Sequence, residues 1–475
     1  MDRKETLRLR EIEKWEKERA KPKNKGYIAW LVFVVCLIYI TDEVASQIGT
    51  LMKSEIAADL LSKFGDSSVG MLDLVSMVTM PFMVICMFYR PLADRLGRRL
   101  FLVINTIGMS LALLLIYISD SLVMYAIGAC MVQFFIPHDM HVVYIMETAP
   151  AKHRARVYSS IKFVANLGVI LIPLLRHFLM KDTSEWRNVY LIPAIIGLVS
   201  SFVALFTARE TDAFIDSRLR YLRMTDEERA IAKEQKRADG EQGGLIKALK
   251  FAFSHRQLKW LYITSALVNM GFLLTMDYQA IMTYSYAQHF LDIGGDYSTL
   301  ESAAEAAGIG VVTTAIFFFA IGSALAQVIM GFISDSKGRK AAAVTMTAIC
   351  TISFLGFFIG ARFGLSPVVV GLLCGACIGS YYATNDVLII MIGESSPTNL
   401  RSSTISAQYV VTAAGIVYAY GLGLPLITAF GNGMIGIIVL CMSLPGFVLA
   451  LLALCLKTRD TTGVNMDTVT GCEWD

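Results

Sequence analysis

The chain has 475 residues, 55% of them hydrophobic and only 17% charged, with a formal net charge of +3 and a mean hydropathy of +0.57. A soluble domain of this size cannot bury so much apolar surface, whereas a polytopic membrane protein uses lipid as its solvent. The balance excludes disorder, collagen and an ordinary cytosolic enzyme, and the near-neutral charge offers nothing to nucleic acid.

The chain opens with a basic arm, residues 1–26. Its first 25 residues hold ten Lys/Arg, six Asp/Glu and no apolar run, which does not fit a cleavable signal sequence. The arm is expected to be a solvated helix with some attraction to anionic lipid. A bilayer crossing takes about 20 apolar residues. Such segments recur at 28–50, 69–89, 100–119, 122–146, 157–179 and 188–207. After a charged stretch they return at 258–286, 308–330, 341–361, 367–392, 403–428 and 434–456. The chain therefore divides into a six-helix bundle over 27–207, a linker over 208–257, a second six-helix bundle over 258–457 and a tail over 458–475. Alternating charge in the linker (EERAIAKEQKR) predicts amphipathic helices. The fold class expected is all-α, with 12 transmembrane helices in two pseudo-symmetric bundles. Eight of the nine cysteines lie in apolar segments and Cys472 lies in the tail, a pattern of small buried residues and not of a disulfide framework.

Lys and Arg in the short loops set the orientation. Arg90, Arg95, Arg98 and Arg99 lie in loop 90–100, Lys152, Arg154 and Arg156 in loop 147–156, and Lys337, Arg339 and Lys340 in loop 334–340. The alternate loops, 51–68 and 287–307, are poor in cations and richer in acids. The basic loops are expected to be cytoplasmic, and with an even span count both termini and the linker join them. A multi-pass protein of the cell membrane, surrounded by lipid and monomeric, is expected.

The two halves repeat. At an offset of 247, Gly128-Ala129-Cys130 falls on Gly375-Ala376-Cys377, Asp139 on Asp386, Glu147 on Glu394, Pro150 on Pro397 and Arg154 on Arg401. Asp94-Arg95-Leu96-Gly97-Arg98-Arg99 matches Asp335-Ser336-Lys337-Gly338-Arg339-Lys340. A duplication in one orientation gives two bundles related by an axis along the membrane normal, which can rock about a cleft.

The stretch Gly331-Phe332-Ile333-Ser334-Asp335-Ser336-Lys337-Gly338-Arg339-Lys340 resembles the loop motif of the major facilitator superfamily, although the first-half copy has Arg90 where Gly is expected. Tyr144-Ile145-Met146-Glu147-Thr148-Ala149-Pro150 with Arg154 is similar to a sugar-porter loop. Glu394 to Arg401 (ESSPTNLR) resembles its second-half copy and that of organic cation transporters, and Arg209-Glu210-Thr211 echoes a sugar-porter motif after the sixth span. The resemblance implies a proton-coupled or facilitative solute carrier of the major facilitator fold, in its sugar porter and organic ion branch. It implies that the loop charges Asp94, Arg95, Arg98, Glu147, Arg154, Asp335, Arg339, Glu394 and Arg401 form a cytoplasmic gate, and that spans one, four, seven and ten line a central cavity.

A carboxylate in hydrocarbon costs at least about 2.5 kcal/mol on insertion scales, so each is a functional candidate. Five stand out: Asp42 and Glu43 in span one, Asp139 in span four, Asp277 in span seven and Asp386 in span ten. The nearest cations are Lys162 and Arg176, towards the ends of span five, so these acids have no obvious counter-ion and are suited to carrying a proton. Glu43 ranks ahead of Asp42 because it stands six residues before Gly49, the spacing in proton-coupled sugar porters. His138 beside Asp139 is suited to relaying a proton. Proton coupling is thus assigned to Glu43, Asp42, Asp139 and His138. Substrate contacts are assigned to Asp277, Gln279, Asp386, Asn385, Tyr382, His141, Asn166, Gln408 and Tyr284. Cys374-Gly375-Ala376-Cys377 reads as a small-residue packing face. No resident metal or cofactor is expected, and the absence of an ATP-binding motif leaves a proton gradient as the driving force.

The sequence predicts a proton-coupled symporter, not an enzyme, moving a small organic solute that is neutral and sugar-like or cationic; all-negative intramembrane charge argues against an anion. The alternatives are a proton/organic-cation antiporter, a facilitative uniporter, a divalent-metal carrier on Asp139, His138 and His141, and a non-transporting sensor.

Overall fold

The computed structural model describes residues 3–22, 24–89, 96–135, 144, 163–165, 167–225, 227–228, 231, 245–294, 297–397 and 401–463. Every regular element among them is a helix. Among the described residues, nine helical segments are long and apolar enough to cross a membrane, and Leu122–Phe135 is a shorter apolar one. Each of the twelve expected spans coincides with at least part of a described helix.

By internal packing the chain forms two compact units. The first comprises Met1–Gly49, Ser76–Leu171 and Arg187–Arg237. It holds the arm helix α1 (Arg3–Ala20), α2 (Lys25–Leu51) up to Gly49, most of the fourth helix, α5 (Arg98–Tyr117), α6 (Leu122–Phe135), α8 (Asn188–Thr207) and the linker helix α9 (Asp212–Arg223). Helix α5 packs against α6 and α8. Leu31, Val34, Val35 and Ile38 of α2 close a core with Phe101, Leu102 and Val103 of α5. The arm lies along α9: Trp15 meets Phe214 edge to face, Arg218 pairs with Glu11 at 2.8 Å and Arg19 with Asp216 at 3.0 Å.

The second unit comprises Thr50–Val75, Ile172–Trp186 and Ala238–Asp475. It contains α3 (Lys53–Leu60), the first turns of α4 (Ser68–Tyr89), most of α7 (Leu171–Leu179), α10 (Leu245–Ser254), α11 (Arg256–Phe272), α12 (Tyr278–Asp292) and α13 (Leu300–Ala307). It continues with α14 (Thr313–Lys337), α15 (Arg339–Arg362), α16 (Pro367–Glu394), α17 (Arg401–Tyr418), α18 (Leu424–Phe430) and α19 (Ile435–Lys457). Two short first-half segments thus belong to the body built by the second half, and the reason is electrostatic, as shown below.

Three spans in this unit are interrupted. A 3-10 turn, Leu274–Asp277, separates α11 from α12. Single π-helical turns, Gly308–Val312 and Ala419–Gly423, precede α14 and α18. Such interruptions free backbone carbonyls from the helical ladder, and they recur at functional sites.

Helix α16 packs against both α14 and α15. The approach to α14 is set by Gly371, Gly375 and Gly379, one every four residues on one face. A Cβ on Gly371 or Gly375 would lie 2.1 Å from the carbonyl oxygens of Ala315 and Phe319. The Cys374–Cys377 stretch is therefore a packing face, with Cys374 and Cys377 both buried. Overpacking a close contact costs about 1–3 kcal/mol. Gly375→Val should lower the thermal unfolding midpoint of the detergent-purified protein, whereas Gly421→Val, where the added atom meets open space, should leave it nearly unchanged; equal shifts would contradict this packing.

Candidate functional site

The site starts at a break between α2 and α3. Met52 adopts φ −117°, ψ 14° and stops the first helix. The chain restarts at once, and Lys53, Ser54 and Glu55 are all buried, at 7%, 7% and 1% exposure. Burying three consecutive polar residues requires partners for each.

Lys53 finds two. Its ammonium contacts the carboxylates of Asp73 on α4 and Asp277 at the end of the 3-10 turn, themselves 6% and 5% exposed. One cation thus serves two acids.

Ser54 and Glu55 bind the start of α12 and the end of α7. The Ser54 N–H donates to Gln279 Oε1 at 3.0 Å. Gln279 Nε2 donates to Ser54 Oγ at 2.6 Å and to Glu55 Oε2 at 3.2 Å. Arg176, 2% exposed, donates from Nη2 to Glu55 Oε1 at 2.5 Å and to the Gly308 carbonyl at 2.9 Å. Its Nη1 reaches the Leu51 carbonyl at 3.0 Å and Met52 Sδ at 3.1 Å, and its Nε reaches Thr313 Oγ1 at 3.2 Å. All five guanidinium N–H groups are used. Beside them, Asn432 Nδ2 donates to Tyr284 Oη at 2.9 Å and Ser68 Oγ at 3.2 Å.

A second polar group lies among α11, α16 and α17. Asn269 Nδ2 donates to Asn385 Oδ1 at 3.4 Å, Tyr381 Oη donates to Asn269 Oδ1 at 2.7 Å, and Gln408 Nε2 donates to Ser265 Oγ at 2.7 Å. Phe272 stacks on Tyr381 and meets Tyr382 edge to face.

The loop motifs build matched helix starts in the two units. Gly97 (φ 102°) precedes α5 and Gly338 (φ 95°) precedes α15. Each leaves helix N–H groups that a carboxylate from a later segment accepts. Glu210 takes Arg98 N at 3.0 Å and Arg99 N at 3.2 Å. Asp460 takes Lys340 N at 2.8 Å, with Thr462 Oγ1 on Arg339 N at 2.9 Å. A Cβ on Gly97 would meet Glu210 and one on Gly338 would meet Asp460. Beside the second start, Arg339 pairs with Glu394 at 3.4 Å, and Glu394 accepts from Thr461 Oγ1 at 2.5 Å.

The family model described as Major Facilitator Superfamily matches residues 28–317. The chain belongs to the major facilitator superfamily. The model described as Sugar (and other) transporter matches residues 268–459, so within the superfamily the chain is sugar porter-like. No curated protein sequence matches it. Among solved structures it is similar to the inward-open xylose transporter XylE from E. coli, at 15% identity over 93% of this chain and 99% of that one, with a TM-score of 0.60. It is also similar to a peptide transporter POT complexed with alafosfalin, at 13% identity, 90% and 93% coverage and a TM-score of 0.59. A bacterial homolog of the human lysosomal transporter Spinster gives 14% identity, 92% and 96% coverage and a TM-score of 0.54. At these identities the structures share the fold. The chain is a multi-pass membrane transporter of the major facilitator fold.

In this facilitator, Asp277 and Gln279 come together in the Lys53–Arg176 site, with Tyr284 close by through Asn432. Asn385, Tyr382 and Gln408 gather in the second polar group, and Asp386 is half-buried on the same helix. Asp42 and Glu43 are half-buried on α2 in the first unit. Arg339 and Glu394 form an ion pair, and Arg98 starts α5. Asp335 and Arg401 lie on helices α14 and α17. Asp139, His138, His141, Asn166, Asp94, Arg95, Glu147 and Arg154 lie outside the described residues.

Two sequence expectations need correction. The stretch 51–68 is not simply a solvent loop, because residues 53–57 are buried. And Asp277 has a counter-ion, Lys53, only a few residues beyond the first span. The buried charge is mixed, with Lys53 and Arg176 among the acids, so the argument against an anionic solute loses its basis. Asp73 lies inside the expected second span and meets the same criterion as Asp277; the set of five acids omits it.

Losing one partner of a buried ion pair typically costs about 3–5 kcal/mol, because the other charge is stranded. Arg176→Met should therefore destabilise strongly, and Arg176→Met with Glu55→Gln should cost less than the sum of the two single changes. A double-mutant cycle by thermal unfolding tests this, and additive effects would show that the two charges are not coupled.

Glu210 supplies a pH prediction. Burial pushes its carboxyl above the ordinary 4.5, partly opposed by the N–H groups of Thr211, Arg99 and Arg98. The folded protein thus takes up this proton before the unfolded chain does. The resulting stability is complete below the ordinary value and is lost as pH rises through the raised one. Glu210→Gln should flatten the change in unfolding midpoint as pH rises above the ordinary carboxylate range; superimposable profiles would contradict it.

Proposed function

We propose that this facilitator is a proton-coupled symporter of a small organic solute, neutral and polar or cationic, working by alternating access in the cell membrane with both termini cytoplasmic. The observation that carries the reading is the sharing of Lys53 by Asp73 and Asp277.

On this orientation, set by the basic loops, α3 and the ends of α4, α7, α12 and α13 lie at the outer side. The Lys53 and Arg176 clusters tie first-half segments to second-half helices there, so they act as the outer gate in its closed form. Opening it separates the charges and hydrates them. Closing it desolvates two carboxylates against one ammonium, which leaves one uncompensated negative charge. One proton bound by the cluster removes that charge, so closure over solute is favoured when a proton comes with it. That linkage is symport. Asp42, Glu43, Asp139 and His138 remain the candidates for carrying the proton towards the other side. Sugar porter-like character and the fold shared with a xylose–proton symporter support the reading. Gln279, Asn385 and Gln408 supply amides suited to hydroxylated solutes, with Tyr382 and Tyr284 as walls.

The test is solute-driven proton entry into proteoliposomes carrying an internal pH dye, with pools of sugars, polyols and organic cations. Acidification that follows solute and disappears in Asp277→Asn, while solute exchange without a gradient persists, is the expected result. Solute uptake with no pH change would remove proton coupling, and proton exit on solute entry would establish antiport.

A further inference from the structure

A cavity of about 330 Å³ opens beside the buried ion clusters. All of its lining belongs to the second unit. Eight hydroxyl side chains, one amide and three carboxylates line it, with no basic side chain among the described lining residues. Its floor is built, not incidental. Asn432, Tyr284 and Glu55 are 2%, 6% and 1% exposed, and hydrogen bonds fix each of them. Ser54, the residue next to Lys53, lines it too.

The charge in this cavity is uneven. Glu55 is balanced by Arg176 at 2.5 Å. Glu301 and Glu305 stand four residues apart on α13, on one face of the helix, and both point their positions into the cavity wall. Neither has a basic partner among the described ion pairs; Glu305 accepts only a long hydrogen bond, 3.5 Å, from Thr183. Two carboxylates at this spacing repel each other, and a cation between them relieves the repulsion. Oxygen donors on every side suit ammonium and hydroxyl groups alike, and the buried Tyr284 ring adds an aromatic wall. A metal ion is a poorer match, because no group of three or more His, Cys, Asp or Glu side chains converges among the described residues.

We propose that this cavity is a reception site for a small organic ammonium cation carrying hydroxyl groups, held by Glu301 and Glu305 at the rim and by the Ser54, Tyr284 and Asn432 floor. The proposal rests on the reading of the chain as a solute carrier and selects the cationic branch of its substrates. The cation would sit against Glu55, the acid that Arg176 holds, so arrival of solute and loosening of the closed gate meet at one carboxylate.

The experiment is equilibrium binding of radiolabelled choline to the full-length protein in nanodiscs, with no ion gradient. Its outcome is therefore independent of whether transport is proton-coupled. Saturable binding is expected, weakened about tenfold or more in Glu301→Gln/Glu305→Gln, equivalent to about 1.4 kcal/mol, displaced by tetramethylammonium and not by sorbitol. Both glutamates are exposed, and the unfolding midpoint of the double variant checks that it remains folded. Absence of saturable binding, unchanged affinity in the double variant, or displacement by sorbitol as effective as by tetramethylammonium would each overturn the proposal.

Discussion

A guanidinium that is 2% exposed must give every N–H an acceptor, because an unpaired charge of this kind is far too costly to bury. Arg176 meets that demand by gathering acceptors from four places in the chain: the end of α2, the buried start of α3, the π-helical turn at Gly308 and the head of α14. Local features follow from this single requirement. The π turn leaves the Gly308 carbonyl available. The break at Met52 turns three successive polar residues inward. It is also why residues 50–75 and 172–186 belong to the second compact unit and not to the first.

Lys53 makes the same kind of junction with a different balance. The Arg176–Glu55 pair is closed in charge and hydrogen bonds, so it is suited to holding a state. The Lys53 triad carries one carboxylate too many, and the proposed proton coupling rests on that imbalance. A transporter needs both properties: a lock that breaks as a whole when segments part, and a charge imbalance that makes closure depend on what has been bound. Separating the two roles onto neighbouring residues of one short helix couples them mechanically. At the basic-loop end of the chain the devices are simpler: a glycine at positive φ, a helix start and a carboxylate, Glu210 in one unit and Asp460 in the other.

Much of this was legible in the sequence. The spans, the charged linker and the duplication are encoded by hydropathy and by residues that recur at fixed offsets. The packing role of Gly375 between Cys374 and Cys377 follows from small residues spaced along an apolar helix. The repeat extends further than those offsets suggest: Arg209-Glu210-Thr211 has its counterpart in Arg459-Asp460-Thr461, and both acids cap the same kind of helix start. The central site was less legible. Lys53 and Glu55 follow the first hydrophobic run by only a few residues, and hydropathy assigns such residues to water. Their burial depends on a helix break at Met52, a residue with no breaker chemistry, and on partners that, Asp73 apart, lie more than 100 residues away. Asp73 meets the criterion for an intramembrane acid but is not among the five singled out, and its partner Lys53 lies beyond the hydrophobic run.

The Lys53 and Arg176 clusters hold residues 53–73 and 176 against the helices of the second half. Spin labels at Lys63 and Asp292, both exposed, in a background lacking the exposed native cysteines, measure that separation directly by pulsed electron resonance. One short distance is expected in the otherwise unchanged protein, and a second, longer population when Lys53→Met or Arg176→Met is added. A distance distribution unchanged by either substitution, in protein that remains folded, would contradict it.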